Sequence, residues 1–119
     1  PMTYVSGFLS PVPTERKQEY AEHARKAWPL FKEYGALSMM EAWGDDVPEG
    51  KVNSLHTAVM RKPDESVVFS WVVWPSRAVR DEAWQKMMDD PAMAEMTMPF
   101  DGQRMIHGGF EPILGDPAG

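Results

Sequence analysis

The sequence predicts an α+β domain with an antiparallel-dominated sheet in a split βαβ order and two helices on one face. Three observations lead there. Residues Ser66–Trp74, SVVFSWVVW, carry Val, Phe or Trp at both parities, whereas a strand with one wet face alternates apolar and polar residues. Only two long helical patterns accompany this strand, and two helices cover one face. The segments also run strand, helix, strand, hairpin into the central strand, helix, strand, an order in which right-handed crossovers place both helices on the same side. The opposite face of the central strand then needs a cover from outside the chain, and a second copy is the simplest one.

Taken in order, Thr3–Ser10 reads as the first strand, with Val5, Gly7 and Leu9 on one face and Tyr4, Ser6 and Phe8 on the other. Pro11 and Pro13 are expected to end it, because proline cannot donate to a ladder. Thr14 is placed to cap a helix over residues 15–34, whose stripe is Tyr20, Ala24, Ala27, Trp28, Phe31 and Tyr34. Pro29 removes one backbone bond within it, which predicts a kink near Arg25, and Gly35 is a natural stop.

Ala36–Trp43 is the second strand, with Leu37, Met39, Glu41 and Trp43 on one face. GDDVPEGK is a loop by its Gly, Pro and Asp content. Leu55–Met60 reads as a short strand that turns through Lys62-Pro63-Asp64-Glu65 into the central strand. Pro75 and Ser76 open the second helix, with Ser76 as cap and Val79, Ala83, Met87 and Trp84 as its stripe. Asp90-Pro91 ends it, AMAEM forms one further turn, and Gln103–Phe110 is the last strand before the tail EPILGDPAG. In this reading Thr3–Ser10 and Ser66–Trp74 form a parallel central pair, and Tyr4 and Phe8 face the dimer partner.

A chain of 119 residues with 43% hydrophobic and 25% charged residues fits a single globular domain spanning residues 1–119. There is no cysteine, which excludes thiolate nucleophiles, disulfides and Cys-ligated metals. No secretory signal is visible at the N-terminus, and no apolar run reaches the length of a membrane span, so the expected place is the cytoplasm. The net charge of −6 and the scattered Lys and Arg speak against a nucleic-acid partner. Ten Met and five Trp fit either a soft core or a ligand pocket.

The stretches YVSGFLSPVP, WPLFKEYGAL, GDDVPEGKV, VVFSWVVWPSRAVRD, QKMMDDP and MPFDGQRMIHGGFEPI closely resemble the YbaA-like family of uncharacterised bacterial proteins, a domain of unknown function. The likeness covers nearly the whole chain. It implies a fold similar to the dimeric α+β barrel, in which two ferredoxin-like protomers pack their sheets face to face. It supplies no catalytic residue to carry over, so the catalytic group is left unknown.

Three function classes stay open at this point. One is a site for a small apolar or aromatic molecule between helices and sheet, lined by Trp28, Phe31, Trp43 and Trp71, with Glu41, Ser70 and Arg104 as its few polar groups. The second is a non-catalytic structural or regulatory homodimer. The third, by analogy of fold, is a cofactor-independent monooxygenase-like enzyme. A general acid or base would be Glu41 or His107, since no other titratable side chain sits within a strand pattern. Arg104 has Asp101 or Glu41 as candidate partners. His23 is read as facing outward on a charged helix, and His23, His56 and His107 lack metal-ligand spacing. No metal and no cofactor are expected, and adjacent Asp45 and Asp46 make a weak cation site at most.

Overall fold

The computed structural model describes residues 3–115, so the last four residues of the tail lie outside the described residues. Strands β1 (Tyr4–Pro13), β2 (Ser38–Trp43), β3 (Glu65–Trp74) and β4 (Ile106–Phe110) form one sheet in the order β2-β3-β1-β4. Every neighbouring pair is antiparallel. The central pair is therefore antiparallel rather than parallel. With β1 and β3 adjacent, α1 (Lys17–Glu33) crosses over β3 to reach β2, while α3 (Arg77–Met88) crosses over β1 to reach β4.

β1 continues through both prolines, with Pro11 opposite Val67 and Pro13 opposite Glu65. The reason lies in the other neighbour. β4 pairs only with Val5–Leu9, so beyond Leu9 one side of β1 is a free edge, where a missing N–H removes no bond. Thr14 does not cap α1. Its hydroxyl meets the Ser66 hydroxyl at 2.8 Å, and a 3₁₀ turn over Thr14–Arg16 leads into the helix. α1 runs from Lys17 to Glu33 with Pro29 inside it. Gly35 ends it with φ +109°, and a Cβ there would lie 2.8 Å from Val79 Cγ1 on α3, so both backbone and packing require glycine.

The segment expected as a strand at Leu55–Met60 is instead the single-turn helix α2 (Leu55–Ala58). Ser54 accepts from the Thr57 N–H at 3.0 Å and Thr57 Oγ1 accepts from the Ser54 N–H at 3.0 Å, a reciprocal capping box that outweighs the β preference of a short apolar run. Ser76 caps α3 as expected, accepting from the Val79 N–H, and Asp90 caps the extra turn α4 (Pro91–Ala94) through the Ala92 N–H at 2.8 Å. The last strand is shorter than expected, because a 3₁₀ turn over Gly102–Arg104 precedes it.

Both long helices pack on the face that carries Val68, Ser70, Val72 and Trp74. Trp74 is fully buried among Phe31, Val79, Ala83 and Met87, and its indole N–H donates to Ser6 Oγ at 3.1 Å. Tyr4 and Phe8 pack against this same core, which corrects their expected place on the open face. The open face instead carries Val5 and Leu9 of β1, Met40 of β2, Phe69, Trp71 and Val73 of β3, and Ile106 and Phe110 of β4. Phe69 is 50% exposed and Phe110 59%.

Candidate functional site

Alternation along β2 turns Met39, Glu41 and Trp43 toward the helices. The β2–β3 register sets Glu41 directly opposite Ser70, and the Ser70 hydroxyl donates to Glu41 Oε1 at 2.5 Å. From above, α1 brings Tyr20, whose hydroxyl donates to the same oxygen at 2.6 Å. Both hydroxyls thus converge on Oε1. Among the described residues, Oε2 has no hydrogen-bond partner and Glu41 has no cation in salt-bridge range.

This carboxyl group opens into a cavity of about 490 Å³ between the sheet and the helices. Its walls are apolar. Phe8 and Val72 come from the sheet, Ala24, Ala27 and Phe31 from α1, and Trp84 and Met87 from α3. Met88, Met93, Met98, Phe100 and Met105 complete the apolar lining, with the Phe100 ring 5.8 Å from that of Tyr20. The polar lining is Ser10, Tyr20, His23, Glu41 and Ser70. Among the described residues, neither Lys nor Arg lines it.

Burial, reinforced by the charge and hydrogen bond of Glu41, raises the Tyr20 hydroxyl well above its usual value. Tyr20 therefore remains a proton donor to Glu41 at any physiological pH. Burial lowers the His23 imidazole, against the pull of Glu41 and with the help of Lys26, so His23 is neutral at pH 7 and supplies no counter-charge.

The remaining candidates separate. Trp43 stands edge-on to Tyr20 with ring centroids 6.1 Å apart and Lys17 above its ring; it props the tyrosine without lining the cavity. Phe31 lines the cavity, whereas Trp28 packs on the core beside it. Trp71 is not in the site, because its parity puts it on the open face against Phe69, at 5.4 Å between centroids. Arg104 is not in the site either. It grips buried Glu65 through two 2.7 Å bonds, donates to Asp101 at 3.0 Å and reaches the carbonyl of Met60, a residue with φ +51°. Arg104 is a clamp between the α2–β3 loop and the turn before β4.

His107 belongs to a neighbouring cleft of about 450 Å³ with Ser6, Arg80, Asp81 and Gln85. Its ring sits 6.0 Å from that of Phe8 and 6.3 Å from that of Trp84, and these two rings line both spaces. Sequence reasoning missed Tyr20 and His23 as site residues. Tyr20 was visible only as one position of an apolar helical stripe, and His23 was assigned to the outer face, whereas it lines the cavity. Among the described residues no group of three or more His, Asp or Glu side chains is arranged to hold a metal ion, and no helix is long and apolar enough to cross a membrane.

A four-stranded antiparallel sheet with its long helices on one face and an acidic group in the cavity between them defines an α+β protein with an apolar cavity between helices and sheet. The chain matches, over residues 3–102, the family described as protein of unknown function (DUF1428). It is 56% identical over 115 residues to the uncharacterized protein YbaA of Escherichia coli strain K12, an alignment that takes in 95% of this chain and 98% of the relative. The same figures hold for the uncharacterized protein YbaA of Shigella flexneri. The chain belongs to this YbaA-like family.

Proposed function

We propose that this protein binds a small, largely apolar or aromatic molecule in the cavity between helices and sheet, as a homodimer built on a ferredoxin-like, dimeric α+β barrel plan. The observation that carries the ligand reading is Glu41. A carboxyl group facing an apolar cavity, held by two hydroxyls and, among the described residues, by no cation, is expensive to desolvate and is retained where it meets a ligand. Binding is favoured over catalysis because the Tyr20 proton is held in place and His23 makes no hydrogen bond to a nucleophile among the described residues. The monooxygenase-like alternative would use this same cavity.

The dimer reading rests on the open sheet face. Every side chain that the register turns to that face between Val5 and Leu9, Ser38 and Ala42, Phe69 and Val73, and Ile106 and Phe110 is uncharged. A face without charge can meet its own two-fold copy without repulsion. Strand spacing and rise give it a flat footprint of about 300 Å². Two copies would hide about 600 Å² of this flat area together with the sides of the projecting Phe69, Trp71 and Phe110 side chains, near the roughly 1,000 Å² that a specific interface should clear.

Methyl-¹³C methionine spectra test the ligand reading, since Met39, Met87, Met93, Met98 and Met105 line the cavity. A set of aromatic fragments is expected to shift these methyls together, and Ala24→Trp, which fills the cavity, is expected to abolish the shifts. Fragments that perturb only Met60 or Met40, outside the cavity, would defeat it.

A further inference from the structure

The cavity has a charge character as well as a shape. Among the described residues its only charged side chain is Glu41, and no Lys or Arg reaches it. The hydrogens of Tyr20 and Ser70 are spent on Glu41 Oε1, so these hydroxyls offer a ligand their lone pairs rather than their protons. His23 is neutral at pH 7. Among the described residues Oε2 is an acceptor without a partner. At the Glu41 end the polar groups therefore offer mainly acceptors and a carboxylate, with the neutral His23 imidazole adding one N–H donor beside its acceptor nitrogen.

The apolar walls point the same way. Aromatic rings attract a cation over their faces, and Tyr20, Phe31, Trp84 and Phe100 present rings to the cavity. Methionine thioethers are polarisable, weak acceptors without a donor hydrogen. A carboxylic acid or phosphate ester would meet Glu41 with like charge and, among the described residues, find no Lys or Arg. A neutral arene would leave Oε2 unpaired on closure, at the cost of an unmade charge-assisted bond.

We propose that the ligand is an aryl-alkyl or alkyl amine in its ammonium form, its N–H groups donating to Glu41 Oε2 while its apolar body lies among the methionines and aromatic rings. This rests on the reading of the cavity as a ligand site and specifies the ligand's polar end. The volume of about 490 Å³ falls within the ordinary range for small-molecule sites.

The test uses three near-isosteric probes with the full chain: tryptamine, its alcohol tryptophol, and the anion indole-3-acetate. Calorimetry gives affinity and methyl-¹³C methionine shifts report the place of binding. Tryptamine is expected to bind at least about tenfold more tightly than tryptophol, with indole-3-acetate weakest, and to shift the cavity methionines. Glu41→Gln is expected to remove most of the preference for tryptamine over tryptophol, with the dispersion of the methionine methyl resonances showing that the variant is folded. Equal binding of tryptamine and tryptophol, or tightest binding of indole-3-acetate, would overturn the amine assignment and leave the cavity as a ligand site. Failure of all three to shift the cavity methionines would overturn both.

Discussion

Two hydroxyls on one carboxylate oxygen make Glu41 the best-defined side chain in the cavity. Tyr20→Phe or Ser70→Ala removes one donor each, and either change is expected to cost about 1–2 kcal/mol in urea unfolding. Because both bonds end on Oε1, the double variant should be non-additive by about 0.5 kcal/mol or more in a mutant cycle; simple additivity would mean that the two hydroxyls act independently. Glu65 gives a pH prediction of known sign. Hydrogen bonds from Arg104 hold its carboxyl at about 2, against an ordinary 4.5. The folded state thus holds this proton less tightly than the unfolded chain, so the pair's contribution is complete above pH 4.5 and is lost as pH falls toward 2. Urea midpoints measured between pH 6 and pH 2.5 should drop more steeply for the wild type than for Glu65→Gln. Parallel curves would place the stabilising charge elsewhere.

At the scale of elements, the joints between helix and strand are where the fold is most constrained. Gly35 joins α1 to β2 with a positive φ and a Val79 methyl where a side chain would begin. Gly35→Ala is expected to destabilise the protein by about 1–3 kcal/mol. Val79→Ala, which removes the clashing methyl, should recover part of that loss in the double variant. No recovery would show that backbone strain alone sets the cost. A second joint ties the end of α1 to α4, where the Tyr34 hydroxyl donates to Asp90. That hydrogen bond holds the Tyr34 hydroxyl up at about 12.

For the whole molecule, the open sheet face decides the oligomeric state. Phe69→Glu or Trp71→Glu would place a charge in the middle of the proposed dimer interface, far from Glu41 on the other side of the sheet. Light scattering at micromolar concentration is expected to give twice the chain mass for the wild type and the single mass for these variants, with the methionine shifts on ligand addition retained. A wild-type monomer would remove the homodimer from the proposal and leave the cavity untouched.

Local pattern alone was enough to find both long helices, the central strand, the cap at Ser76, the end of the second helix before Asp90-Pro91, the stop at Gly35 and a carboxylate set within an apolar strand face. These follow from periodicity, capping chemistry and backbone sterics, each of which acts over a few residues. Sequence also marked β3 as apolar on both faces, which is why one face of the sheet remains apolar and open. Contacts between distant segments were not legible in the same way. Pro11 and Pro13 stay in β1 because β4 stops at Leu9, and Leu55–Ala58 is helical because Ser54 and Thr57 cap each other. Trp71 and Arg104 left the site, and Tyr20 and His23 entered it, because parity along β3 and the crossing of α1 over the sheet set which side chains meet. Sequence by itself nominated Glu41; only the tertiary structure brought to it the hydroxyls of Tyr20 and Ser70, separated from it by 21 and 29 residues, because a hydrogen bond depends on distance in space and not along the chain.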